Sequence, residues 1–183
     1  MDPDAYLCQL AEIFNGISVN TPSLSAIIAI ILAGLLLLAS GFASASEIAF
    51  FSLSPSDLND IEEGNHPSDG KISNLLADSE RLLATILITN NFVNVTIIML
   101  CNFFFMNVFV FHSPLAEFLI LTVILTFLLL LFGEIMPKIY SAQKTLAFCR
   151  FSAPVIYMLR KVFAPISAVL VHSTAFLNKH FAK

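Results

Sequence analysis

The sequence predicts an all-α integral membrane protein with three transmembrane helices and a juxtamembrane amphipathic helical belt. Three observations predict this fold class. Of the 183 residues, 57% are hydrophobic and 12% are charged, whereas a soluble domain usually carries about 25% charged residues. Long apolar runs recur three times, and the basic residues collect in two short segments. We therefore expect lipid, and not water, to be the main solvent of this chain.

The apolar runs set the predicted spans, at about residues 23–49, 82–110 and 115–136. Each reaches the roughly 20 residues that a helix needs to cross a bilayer. The segment before the first run contains Asp2, Asp4 and Glu12 but no Lys or Arg, which is unlike a secretory signal. We therefore expect residues 1–22 to remain as an extracytoplasmic tail ahead of a transmembrane domain over residues 23–137.

The basic residues predict the orientation of the spans. Of the nine Lys and Arg, Lys71 and Arg81 lie in the first connection and the other seven lie from Lys138 onward. Cytoplasmic segments collect basic residues because of the positive-inside bias of insertion. This distribution places the N-terminus outside and the C-terminal end in the cytoplasm of a multi-pass protein of the inner (plasma) membrane.

The first connection carries helix-capping signals. Ser54 and Pro55 are typical of an N-cap and first helical position, and Asp57 follows in the first turn. Gly64 is expected to end this helix, and the run from Asp78 to Glu80 is a capping signal before the second span. We expect a short cytoplasmic hairpin here and not a separate domain.

Residues 138–183 are predicted to form a cytoplasmic interfacial helical segment. The stretch from Val162 to Leu177 is apolar enough for a fourth span to be considered. It is short, contains Pro165 and has basic residues on both sides, so crossing would leave basic residues outside. An amphipathic helix at the membrane interface is the preferred interpretation.

Each predicted span carries polar residues four positions apart, which places them on one helix face. The pairs are Ser40 with Ser44, Asn90 with Asn94, and Thr122 with Thr126. Such residues commonly serve only to bridge helices by hydrogen bonds. The alternative is that they line a functional site together.

Glu134 is harder to explain as bridging, because no Lys or Arg lies inside any predicted span to pair with it. Pro137 cannot donate to the carbonyl four residues earlier, which in an α-helix is that of Gly133. A free carbonyl beside a carboxylate, together with Ser and Asn oxygens, suits Mg²⁺, Ca²⁺ or Na⁺. The alternative is that Gly133 and Pro137 merely kink the helix end while Glu134 extends to water.

The sequence gives little support for an enzyme. The four histidines are scattered, and His-Glu-x-x-His, Gly-rich phosphate-loop and Gly-x-Ser-x-Gly patterns are missing. Glu117 lies at the opposite end of its span from Glu134 and is most simply a solvated helix start. Cys8 lies near the N-terminus, Cys101 within a span and Cys149 after the last span, so we expect them in different compartments and infer no disulfide framework.

Three short motifs on the three spans resemble one known family. They are Ser44–Ala49 (SASEIA), Thr89–Asn94 (TNNFVN) and Gly133–Lys138 (GEIMPK). In this order they resemble the membrane domain of unknown function 21, shared by the bacterial CorC and animal cyclin M (CNNM) magnesium transport proteins. The likeness covers roughly residues 20–180.

The resemblance implies a homodimer with a cytoplasmic helical belt and a dehydrated Mg²⁺ site. Carried over to this chain, the site falls on the side chains of Ser40, Ser44, Asn90, Asn94 and Glu134 and on the Gly133 carbonyl. Full-length relatives continue into a pair of nucleotide-binding CBS modules, which lies beyond these 183 residues. ATP is therefore expected as a partner only through such a pair, and nucleic acid is not expected as a partner.

The function implied is export of Mg²⁺ by alternating access, with Na⁺ as a candidate coupling ion. The alternative is a membrane scaffold of the same fold that does not transport, for example in gliding motility or regulation of ion homeostasis. For the dimer, the small residues Ala26, Ala29, Ala33 and Gly41 of the first span suggest a face on which helices approach closely.

Overall fold

The computed structural model describes residues 18–110 and 114–168, and these are almost entirely helical. The first two spans are helices α1 (Leu24–Phe51) and, after two short helices, α4 (Ser79–Val108). Among the described residues, three helical stretches are long and apolar enough to cross a membrane: Leu24–Phe51, Ser79–Val108 and Glu117–Gln143. The prediction of an all-α membrane domain with three spans is confirmed.

Helix α1 is the central element of the bundle. Ser23 caps it by accepting a hydrogen bond from the Ala26 amide, and the helix packs along α4 over most of its length. Its outward face carries exposed apolar side chains such as Ile28, Leu35 and Leu38. This face is suited to contact with lipid.

The small residues of α1 lie inside the protomer. Ala26, Ala29 and Ala33 are at most 5% exposed, and Gly41 is also buried. Ala33 belongs to a core cluster with α4 residues such as Val93 and Ile97. The interpretation of this face as a dimer interface is therefore wrong. Small residues do permit close helix approach here, but the neighbouring helices belong to the same chain.

The third span is divided by a π-helical segment. It consists of α5 (Pro114–Leu128), the π-helix Leu129–Ile135, and α6 (Met136–Gln143). The Met136 amide donates to the Leu131 carbonyl, five residues earlier. The helix therefore continues past Pro137 and does not end at residue 136, and Gly133 and Glu134 both lie in the π-helical turn.

The connection between the first two spans is ordered as the capping signals predicted. It contains α2 (Pro55–Glu62) and α3 (Asp69–Leu76). Ser54 and Asp57 form a reciprocal capping box, and hydrogen bonds from Ser54 hold the pKa of the Asp57 carboxyl below its usual value. Gly64 follows α2 with a φ of 70°, a value that favours glycine. Asp78 caps α4.

Helix α7 (Thr145–Val162) is amphipathic and covers the end of the bundle where the basic residues lie. Its buried face presents Cys149, Ala153 and Ile156 to a cluster formed with residues of α1, α3 and α4. Burial raises the pKa of the Cys149 thiol to about 12, so that this thiol stays protonated. This amphipathic helix ends where the apolar stretch Val162–Leu177 begins. Most of that stretch, for which an interfacial helix was predicted, lies outside the described residues.

A buried ion pair joins α7 to α3. Arg150 Nε and Nη2 donate to the two Asp69 carboxylate oxygens at 2.8 and 3.1 Å. The His66 backbone amide adds a hydrogen bond of 2.9 Å to the same carboxylate. The hydrogen bond from Arg150 contributes most to holding the pKa of Asp69 below its usual value. At the end of α7, Arg160 contacts both the backbone and the side chain of Asn74.

At the opposite end of the bundle, a two-residue strand β1 (Ser18–Val19) pairs antiparallel with β2 (Phe109–Val110). The Asn107 side chain accepts a hydrogen bond of 2.9 Å from the Ser23 hydroxyl. The segment before α1 is therefore joined to the chain just after α4. These strands were not predicted from sequence, because two residues are too few to form a recognisable pattern.

Candidate cation site

The centre of the bundle contains a cluster of side-chain oxygens between α1 and α4. The Ser40 hydroxyl oxygen lies 2.9 Å from Asn90 Oδ1 and 2.6 Å from Asn94 Oδ1. Ser40 is fully buried, and both asparagines are half-buried. A serine hydroxyl has one proton, whereas the two amide oxygens are both acceptors. Three oxygens thus meet around a single proton, so more lone pairs converge than protons can satisfy.

Ser44 lies one helical turn from Ser40 and is also fully buried. Its hydroxyl oxygen finds no hydrogen-bond partner among the residues that the structure describes. A buried hydroxyl without a partner costs free energy and calls for an explanation. A ligand at this position would supply the missing interaction.

Other polar residues of the same spans satisfy themselves locally. Ser46, Thr85 and Thr89 each donate a hydrogen bond to the carbonyl four residues earlier in their own helix. Their hydroxyl protons are used within the helix backbone, as is common for Ser and Thr in transmembrane helices. In contrast, Ser40 bonds across to Asn90 and Asn94 of the neighbouring helix, and the Ser44 hydroxyl has no partner among the described residues.

Gly133 brings the third span against this cluster. A Cβ atom at Gly133 would lie 3.2 Å from Ser40 Oγ and 3.5 Å from Leu37 Cδ1. The absence of a side chain lets the π-helical backbone approach the serine directly. The structure thus brings together Ser40, Asn90, Asn94 and Gly133, four of the residues that the sequence pointed to.

A second glycine, which the sequence grouped with the small residues of a dimer face, makes the neighbouring contact within the protomer. A Cβ atom at Gly41 would lie 2.9 Å from Pro137 Cγ and 3.2 Å from the Phe132 carbonyl oxygen. One turn further on, the Ser141 hydroxyl donates to the Ala45 carbonyl at 2.7 Å. The signal was present in the sequence, since Gly41 and Ala45 are small and four residues apart.

The π-helical turn changes the hydrogen-bond spacing immediately before Pro137. With α-helical spacing, the missing amide proton of Pro137 would be opposite the Gly133 carbonyl. The Met136 amide, however, donates five residues back to Leu131, and the same spacing places Pro137 opposite Phe132. The Phe132 carbonyl is the one that lies against Gly41. Alpha-helical spacing therefore does not hold for the Met136 amide, whereas the free carbonyl of Gly133 stays a prediction.

Glu134 follows Gly133 in the same turn and is half-buried. Among the described residues, no basic side chain forms an ion pair with it. The nearest basic residue along the helix, Lys138, instead pairs with Glu47 of α1 at 3.2 Å. Glu134 thus adds a carboxylate without an ion-pair partner among the described residues, in the π-helical turn that also contains Gly133.

The ligand types gathered here can be compared with those that different metal ions prefer. Within the described part of the chain, no group of three His, Cys, Asp or Glu side chains comes together, as a zinc or copper site would require. Hydroxyl, amide and carboxylate oxygens are the ligands that Mg²⁺, Ca²⁺ and Na⁺ prefer. The residues present therefore fit such an ion as cargo.

The polar residues of α5 line a different space. Thr122 and Thr126 face a groove of about 430 Å³ between α4 and α5, together with Asn102 and Glu117. The sequence pattern placed these threonines on a polar stripe like those of the other spans. The structure separates their stripe from the Ser40 cluster, because Thr122 and Thr126 line this groove whereas Gly133, in the π-helical turn, approaches Ser40.

Three apolar helices around a buried oxygen cluster define an integral membrane protein with a candidate ion site inside its transmembrane bundle. The sequence pattern of the cyclin M transmembrane N-terminal domain family matches residues 30–183. The chain belongs to this family, as the three motifs indicated. It is also 32% identical over 130 residues to a UPF0053 protein of Haemophilus influenzae. That match covers 71% of this chain and 30% of the relative's length.

Proposed function

We propose that this domain carries a dehydrated divalent cation, Mg²⁺, across the membrane. The observation that supports the proposal most directly is the group of three oxygens, from Ser40, Asn90 and Asn94, around a single proton. Acceptor oxygens that outnumber the available protons repel one another unless a cation lies among them. Ser44, with its unpartnered buried hydroxyl, extends the same donor set.

The charge balance favours a divalent ion with at least one carboxylate ligand. Ser and Asn oxygens are neutral dipoles and cannot by themselves offset the loss of the hydration shell of Mg²⁺. Glu134 provides a formal negative charge in the turn that adjoins Ser40 through Gly133. The proposed ligands are the side chains of Ser40, Ser44, Asn90, Asn94 and Glu134, with the Gly133 carbonyl.

The π-helical turn is suited to the conformational change that alternating access needs. A π-helical segment has weaker local hydrogen bonding than an α-helix and is frequently found at functional sites. Here the missing donor of Pro137 weakens the same turn further. Rearrangement of Leu129–Ile135 towards α-helical spacing would move Glu134 relative to Ser40, and so would alter the site. Coupling to Na⁺ belongs to this proposal and requires flux measurements.

The test is Mg²⁺-dependent stabilisation and flux of the purified domain. A ligand that binds only the folded state at 100 times its Kd stabilises that state by about 2.7 kcal/mol. We expect MgCl₂ to raise the melting temperature, whereas KCl of equal ionic strength should not. Proteoliposomes should then show Mg²⁺ flux. A protein that shows neither stabilisation nor flux would be a membrane scaffold of the same fold, and the proposal would be rejected.

The proposed orientation places the N-terminal end outside and the layer formed by α2, α3 and α7 in the cytoplasm, because that layer is rich in Lys and Arg. Ser18 is exposed beside β2 and suits a cysteine reporter, Ser18→Cys. Ser68 is only 7% exposed, so the exposed Ser56 is the better site on the other side. In a Cys8→Ser background, Ser18→Cys should react with an impermeant reagent on intact cells, and Ser56→Cys only after permeabilisation.

We further propose that the homodimer forms through the groove between α4 and α5. The side chains of Asn102, Thr122 and Thr126 are exposed there within the spans. Exposed polar side chains are unfavourable against lipid and are usually covered by protein or water in membrane proteins. The Asn102→Leu variant should therefore shift the mass of the detergent-solubilised protein towards one protomer, whereas Ser25→Leu, on exposed α1, should not.

A further inference from the structure

The ion pair between Glu47 and Lys138 joins α1 to α6 beside the proposed cation site. Lys138 Nζ lies 3.2 Å from Glu47 Oε2, and the two side chains are 34% and 35% exposed. Glu47 lies three residues after Ser44, and Lys138 lies four residues after Glu134. Both charged residues therefore sit about one turn from proposed ligands.

Lys138 is a potential competitor for the proposed cargo. Lys138 follows Glu134 by four residues of a continuous helical segment, so the two backbones are about one helical turn apart. A lysine ammonium is a compact cation on a flexible stem of four carbons. If released from Glu47, it could pair with the Glu134 carboxylate, which has no basic partner among the described residues.

The geometry points to Glu47 as a positioning residue that holds the Lys138 ammonium away from Glu134, so that this carboxylate stays available to the cation. Glu47 is not itself a ligand in this arrangement, because its carboxylate is engaged with Lys138. The pair is partly exposed, and such pairs break at little cost. The inference rests on the proposed function, since it assigns Glu47 and Lys138 a role in the affinity of the same site.

The test is a double-mutant cycle read as Mg²⁺ affinity, from Mg²⁺-dependent melting of the full chain in detergent. Glu47→Gln should weaken Mg²⁺ binding roughly tenfold, because the freed lysine competes for Glu134. Lys138→Met should bind Mg²⁺ as tightly as the parent or more tightly. The double variant, Glu47→Gln with Lys138→Met, should recover the parental affinity although the ion pair is still missing.

The melting temperature without Mg²⁺ separates positioning from a merely structural role. Loss of the ion pair should lower the melting temperature without Mg²⁺ by a similar small amount in Glu47→Gln and in Lys138→Met. Only Glu47→Gln should weaken Mg²⁺ binding. Lys71→Met, which removes an exposed lysine from α3, is the matched control and should change neither quantity.

Three results would overturn the inference. They are an unchanged Mg²⁺ affinity in Glu47→Gln, a double variant that stays weak, and a weaker affinity in Lys138→Met alone. A weaker Mg²⁺ affinity in Lys138→Met would reject the inference even if Glu47→Gln fails to fold. If the parent protein shows no Mg²⁺-dependent stabilisation at all, the proposed function fails, and this inference fails with it. An unchanged affinity in Glu47→Gln alongside normal Mg²⁺ binding by the parent rejects the inference alone.

Discussion

The Ser40 hydroxyl oxygen lies 2.6 Å from Asn94 Oδ1, and this contact joins the first span to the second inside the bundle. It is the shorter of two contacts between the Ser40 hydroxyl oxygen and an asparagine, because the distance to Asn90 Oδ1 is 2.9 Å. A single hydroxyl proton cannot serve both acceptors at once. The contact therefore marks a place where a cation would be more favourable than the protein's own protons.

Ser40→Ala should weaken Mg²⁺ binding roughly tenfold. The change removes a ligand oxygen from the proposed site, and a tenfold loss of affinity corresponds to about 1.4 kcal/mol. Titration of the melting temperature with MgCl₂ measures the effect. Ser46→Ala is the matched control, because Ser46 is equally buried but bonds to the Phe42 carbonyl of its own helix. Equal Mg²⁺ affinities in the two variants would place the site elsewhere.

Glu134→Gln should retain the fold but bind Mg²⁺ roughly a hundredfold more weakly, because it removes the formal charge that offsets dehydration of the ion. Flux into proteoliposomes should fall in parallel. Thr96→Val serves as the control, since the Thr96 hydroxyl is bonded to the Phe92 carbonyl of its own helix. Unchanged Mg²⁺ affinity in Glu134→Gln would mean that Glu134 only extends to water at the end of the span.

Gly41→Ala should destabilise the protein by about 1–3 kcal/mol, because the new methyl group would overlap Pro137 Cγ, 2.9 Å away. Thermal denaturation in detergent measures the loss. Gly34→Ala provides a contrast within the same helix, because a Cβ there meets nothing within 4 Å. We expect that variant to be neutral or slightly more stable, since alanine is the better helix former. Similar melting temperatures for both variants would argue against close packing of α1 on α6.

The Asp69–Arg150 pair should make stability depend on pH in the acid range. The folded-state pKa of Asp69 lies below its ordinary value of 3.8. The unfolded chain therefore takes up a proton first as the pH falls, and the contribution to stability is full above about pH 4 and is lost below it. Asp69→Asn should lower the melting temperature by several degrees at pH 7.

The same variant should flatten the acid part of the curve of melting temperature against pH. Some dependence should remain, because the pKa of Asp57 is also lowered in the folded state. Asp60→Asn, at an exposed position on α2, is the control and should follow the parent curve. A parental slope in Asp69→Asn would show that Asp69 contributes nothing to the acid sensitivity.

Several parts of the structure could be predicted from sequence because their causes are local. A run of about 20 apolar residues must be helical in lipid, whatever it packs against. The caps at Ser54 and Asp78 and the end of α2 before Gly64 depend only on neighbouring residues. Helical spacing likewise predicted which residues of α1 and α4 share a polar face.

Other features depend on distant parts of the chain, and sequence reasoning missed or misplaced them. The small residues of α1 could have faced a second protomer or the same one, and only packing against α4 decided it. The pairing of Lys138 with Glu47 joins residues 91 positions apart, and the contact of Asp69 with Arg150 spans 81 positions. Side-chain spacing along one helix carries no information about such partners.

The sequence by itself determined the membrane class, the three spans and the candidate ligands, because hydrophobicity and helical periodicity are properties of each segment alone. The tertiary structure decided which of the polar residues meet. It oriented Ser40 towards Asn90 and Asn94, placed Gly133 against Ser40 and directed Thr122 into another groove. It also introduced the π-helical turn at Leu129–Ile135. The physical reason is that helix rotation and hydrogen-bond register are set by close packing between helices, which no single segment specifies.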